Sequence, residues 1–211
     1  MKDNKGFSLV ELVIILAIIA ALGSAMFYSF TLMTGQYARE CANNLSAALD
    51  KEKNYALTRS ASVDCYMEIV KVGNNYVARY YVPVSAIADG TGQDWLFAEE
   101  LKIGKSRVGI TYKIVSSSGS EIATIDDDKS VKFVYNRISG AMKAIVVSDV
   151  DSSVSPPEAG ISKGFLTEPT STVHNLKDES VDKVIIDLVN GRRYEIEIFA
   201  GTGKHVLSRV G

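Results

Sequence analysis

Charge is nearly missing from the first part of this chain: between Lys5 and Arg39 the only charged residue is Glu11. Whatever places this segment in a membrane must also account for one carboxylate. Histidine is scarce too. His174 and His205 lie in different segments with no Glu or Cys at ligand spacing, so the sequence offers no zinc site. There are two cysteines, Cys41 and Cys65, too few for a disulfide scaffold. In an oxidising compartment they admit either one bridge or two free buried thiols, and spacing does not choose between these. The formal charge of -2 leaves no overall electrostatic footprint for nucleic acid. Catalytic signatures are absent as well. No G-x-S-x-G elbow occurs, and Gly201-Thr202-Gly203-Lys204 lacks the earlier glycine of a phosphate loop and is followed by His205, so it reads as a turn. Neither enzymatic activity nor a cofactor is expected.

What the chain does have is the run from Gly6 to Phe30, GFSLVELVIILAIIAALGSAMFYSF. A bilayer core takes about 20 apolar residues in a helix, and this run is long enough. An acid in such a segment costs roughly 2.5 to 3.5 kcal/mol near the bilayer centre and less near an end, so Glu11 calls for a partner. A secretory signal is the competing reading. Leu12 to Leu22 form an acceptable apolar region, and Gly23-Ser24-Ala25 offers a small-residue cleavage site leaving Met26 first. An acid preceded by Gly-Phe gives such a signal no advantage.

Lys2 and Lys5, then Gly6, Phe7, Ser8, two apolar residues, Glu11 and the long apolar run closely resemble the amino terminus of type IV prepilins and type II secretion pseudopilins. The resemblance implies cleavage by a prepilin peptidase between Gly6 and Phe7 and methylation of Phe7. It also implies that Glu11 pairs with the amino terminus of a neighbouring subunit during assembly. Other pilin or pseudopilin subunits, an inner-membrane assembly platform and, before assembly, membrane lipid are the implied partners. The final location would be a single-pass cell-membrane protein with an extracytoplasmic head, and then a filament. Many members have a helix-bending proline where this chain has Tyr28.

The expected organisation is a leader over 1–6, an assembly helix over 7–30, its amphipathic continuation over 31–61 and a β-rich head over 62–211. The continuation rests on Ala38, Cys41, Leu45, Ala48, Leu49, Tyr55 and Ala56, which recur at helical spacing. Gly23 and Gly35 are its weak points. From Val63, two β-prone runs flank Gly-Asn-Asn as a hairpin. Further strands are expected at 108–115, 131–135, 144–147, 184–189, 194–199 and 205–210. The fold class is therefore α+β, a long pilin-type helix packed on an antiparallel sheet or sandwich. Long loops are expected from Pro83 to Glu100, with a short helix at Leu96 to Leu101, and from Asp149 to Ser180.

The layout from helix into hairpin, closing with GTGKHVLSRV, resembles the FimT/GspH kind of minor pilin. Some relatives of this kind bind DNA through basic residues near the carboxyl terminus. Arg192, Arg193, Lys204 and Arg209 are the residues available here, and an ordinary solvated face accounts for them equally. Several pseudopilins hold calcium in a loop, which makes Asp149 and Asp151 weak candidates beside Asp126-Asp127-Asp128. The later glycine and glutamate of an EF-hand loop are missing, and solvated turn acids are the simpler reading.

Overall fold

The computed structural model describes residues 9–58, 65–83, 94–116, 119–125, 129–149, 161–163, 172–178 and 180–210. A single helix, α1 (Leu9–Thr58), runs 50 residues, about 75 Å at 1.5 Å per residue. Its first part, Leu9–Phe27, is exposed throughout. From Gly35 onward it enters the head, burying Ala38, Cys41, Ala42, Leu45, Ala48, Leu49, Glu52 and Ala56. The expected stripe is therefore present, with Tyr55 half-buried at its edge. Gly23 and Gly35 both lie inside the uninterrupted helix.

Two antiparallel sheets make the head. The first contains β1 (Cys65–Val72), β2 (Asn75–Pro83), β3 (Asp94–Lys105), β6 (Lys129–Tyr135), β7 (Met142–Asp149), β8 (Ile161–Lys163) and β9 (Thr172–Asn175), in the order β8-β3-β2-β1-β6-β7-β9. The second contains β4 (Gly109–Ser116), β5 (Gly119–Ile125), β10 (Val181–Asn190), β11 (Arg192–Phe199) and β12 (Lys204–Val210), in the order β12-β11-β10-β4-β5. The helix packs on β3, β1 and β2 of one sheet and on β10, β11 and β12 of the other. One core joins all three layers, with Met67, Ile69, Tyr80, Ile103, Phe133, Ile145, Ile186, Ile196 and Ile198 against Leu45 and Leu49. A second apolar cluster, Tyr66, Tyr81, Val134, Ala144 and Val146 with Phe97 and Val173, occupies the opposite face of the seven-stranded sheet. At its centre Tyr66 and Tyr81 stack with ring centroids 4.6 Å apart.

Small residues let the layers approach. A Cβ on Gly104 would sit 2.7 Å from the Cys41 Sγ, and one on Gly35 would sit 2.6 Å from Cδ of Arg192. At the far end of the helix, the β6–β7 turn meets the β11–β12 turn. Met142 donates to the Ala200 carbonyl at 3.0 Å, and a Cβ on Gly203 would fall 2.0 Å from the Gly140 carbonyl oxygen.

Two expectations need correction. Residues 96–101 are not a short helix but the middle of β3, whose pairing with β2 runs from Asn75↔Lys105 to Pro83↔Trp95. Ala-Glu-Glu-Leu is helix-prone, yet it is paired along β2, Ile103 next to it is buried in the core, and Glu99 is held by α1 through Tyr55 and Lys51; packing overrides propensity. The expected 149–180 loop also contains β8 and β9 at opposite edges of the seven-stranded sheet. The domain boundary at 61/62 lies outside the described residues.

Candidate functional site

Leucine, isoleucine, valine and alanine propagate helix through Leu9–Phe27, and every residue there is exposed. Exposures of 54 % at Ile14 and 60 % at Ile19 would be costly in water, so this surface is made for an apolar surrounding. The polar groups are prepared for one. Ser24 returns its hydroxyl to the Ala21 carbonyl at 2.8 Å, and Ser29 to Ala25 at 3.1 Å, so neither is left wanting in hydrocarbon. Glu11 sits in the first helical turn, where the helix dipole favours an acid. It is the only charge on the 19-residue apolar segment.

The family model described as the prokaryotic N-terminal methylation motif matches residues 1–27. Its amino terminus is that of a type IV pilin-like protein. No curated protein and no solved structure matches it. The motif carries with it processing by prepilin peptidase and other pilin subunits as partners. One N-terminal apolar helix is compatible with a single-pass anchor carrying a soluble head. Gly6 and Phe7, the cleavage and methylation positions, lie outside the described residues.

In the head of this pilin-like protein the remaining candidate residues separate. Cys41 and Cys65 are both buried and are not joined in a disulfide. Burial, helped by Glu40, pushes the Cys41 thiol up to about 12, which makes it inert. The four cations considered for DNA do not converge. On β11, Arg192 shares the inward parity of Tyr194 and Ile196, and its stem crosses Gly35. Arg193 points outward and is held by Asp187, with Nε at 2.8 Å and Nη2 at 3.0 Å. Arg209 lies opposite Tyr194 and Lys204 opposite Phe199, so Lys204 is at the other end of the strand, roughly 20 Å from Arg193 at 3.3 Å per residue. Asp149 ends β7, Asp151 and Asp126 to Asp128 lie outside the described residues, and no group of three potential metal ligands occurs among the described residues.

Two features of the helix escaped sequence reading. Glu52 stands on the buried stripe with no exposure at all; after burial itself, its charge is the next cause raising the Tyr80 and Tyr135 phenols above their ordinary range. An acid at a stripe position resembles an interruption rather than a member, which is why the pattern hides it. His205 meets Ser46 through Nε2 at 2.8 Å, joining β12 to the helix. Burial, with Lys53 nearby, lowers its pKa although Asp50 acts in the opposite sense.

Proposed function

We propose that this chain is a structural subunit, a minor pilin or pseudopilin, of a type IV pilus, type II secretion or competence fibre. Its work is assembly rather than turnover. Prepilin peptidase cuts after Gly6 and Phe7 becomes the methylated amino terminus. An assembly platform then moves the helix from lipid into the fibre core. The observation that carries the reading is the lone carboxylate of Glu11 on an otherwise apolar, fully exposed helical segment. Burying that segment among neighbouring helices supplies cohesion without selecting register. Glu11 supplies the selection, because a subunit out of register leaves a buried charge with no amine to meet it.

Glu11→Ala and Glu11→Lys therefore leave the head folded and the chain in the membrane but keep it out of fibres. Normal incorporation of both variants removes Glu11 from the mechanism. A second reading, a binding module at a fibre tip, draws on a cleft of about 310 Å³ between the β6–β7 turn and the β9–β10 connection. Its rim carries Asn136, Ser139, Lys143 and Lys177, and it opens at the end of the head away from the anchor. Substoichiometric incorporation together with ligand capture by the head separates this reading from a fibre-forming one.

A further inference from the structure

Among the described residues, cations gather around the helix at the end of the head that faces the anchor. Arg192, the first residue of β11, lays its stem across Gly35. On the other sheet, Lys105 places Nζ 5.2 Å from the ring of Tyr37 on the helix. Arg107 is exposed in the β3–β4 turn, Arg209 at the end of β12, and Arg39 on the helix itself. None of Arg39, Lys105, Arg107, Arg192 and Arg209 takes part in an ion pair among the described residues. Some of the described acids are engaged. Asp187 and Glu195 lie within reach of Arg193, whereas Glu40 and Asp149 make no ion pair among the described residues. Strand β5 ends at Ile125, opposite Ile110, and leads into Asp126 to Asp128, which lie outside the described residues.

Distance to the bilayer makes this arrangement consequential. From Phe27, where the apolar span ends, to Gly35 is eight residues of continuous helix, about 12 Å. Headgroups occupy about 6 Å of that beyond the hydrocarbon. The basic end is therefore held within about one Debye length of the lipid phosphates, close enough for attraction to survive physiological salt.

We propose that, before assembly, the base of the head docks on anionic lipid headgroups through Arg39, Lys105, Arg107, Arg192 and Arg209. The docking presses the head onto the membrane, and release of these contacts accompanies extraction into a fibre. It rests on the membrane-anchored reading of α1.

The test uses the full chain in nanodiscs of phosphatidylcholine, alone or enriched in phosphatidylglycerol, with a headgroup-attached quencher. A fluorophore is placed on Asn74→Cys in the β1–β2 turn at the base, or on Thr202→Cys at the far end. Both native thiols are buried, so labelling goes to the introduced one. One cation near an anionic surface changes the docked-to-undocked ratio about fivefold. Phosphatidylglycerol should therefore raise quenching at Asn74→Cys severalfold, and high salt or the combined Arg107→Gln, Arg192→Gln, Arg209→Gln substitution should abolish the rise. The probe at Thr202→Cys should not respond. Equal quenching in the two lipid mixtures overturns the proposal, as does a response to duplex DNA but not to phosphatidylglycerol. A chain that fails to co-elute with the nanodisc overturns the anchor reading, and docking falls with it.

Discussion

Replacing Gly203 by alanine tests whether the meeting of the two turns holds the sheets together at the far end of the head. Gly203 has φ of +60°, a left-handed conformation that costs a residue with Cβ about 1 to 2 kcal/mol. The new methyl would also stand 2.0 Å from the Gly140 carbonyl oxygen and 3.0 Å from Cε1 of Tyr135. Backbone cannot yield that far without parting the turns, which gives up the Met142 to Ala200 hydrogen bond, worth about 1 kcal/mol. The sum is about 2 to 3 kcal/mol, a fall in Tm of roughly 4 to 12 °C for a domain of this size. Gly201→Ala is the control, because nothing lies within 4 Å of its added Cβ; it should change stability by no more than about 0.5 kcal/mol. Thermal melts of the head, followed by far-ultraviolet circular dichroism, compare the two. Equal midpoints for Gly203→Ala and Gly201→Ala refute the reasoning.

Leu45→Ala, at a fully buried stripe position, should cost about 2 to 5 kcal/mol, whereas Leu12→Ala on the exposed apolar span should leave the head's denaturation curve unmoved. Because the folded pKa of His205 lies below the ordinary 6.5, the unfolded chain binds the extra proton as pH falls through 6.5. Its contribution to stability is then present above that pH and declines below it, and His205→Gln should flatten this slope in denaturant titrations. Thiol reagent at mildly alkaline pH should modify neither cysteine in the native protein and both in denaturant; rapid native labelling of Cys41 would contradict its inertness.

The anchor was legible because a long apolar run interrupted by one acid has few meanings, and the stripe because Ala38, Cys41, Leu45 and Leu49 obey a helical period. Eight strands were visible for a similar reason: Tyr194, Ile196 and Ile198 alternate with outward-facing side chains. Strand β5 was not. It lies at a sheet edge with nearly all its residues exposed, so no alternation marks it, and Gly119 reads as punctuation. Strand β3 was hidden by helix-prone composition that only its neighbours overrule. The clustering of Arg107, Arg192 and Arg209 at one end also escaped notice, since three separate turns and strand ends are brought together by topology rather than by spacing.

An unbroken rod linking bilayer to head behaves like a geared shaft. Each residue inserted between Phe27 and Gly35 would swing the head by about 100° around the axis relative to Glu11 and lift it about 1.5 Å. Seven inserted residues would nearly restore the facing while raising the head by about 10 Å. Angular phase and height are thus separately adjustable in this molecule, and a polymer that accepts the seven-residue insertion but rejects a two-residue one would be measuring rotation rather than length.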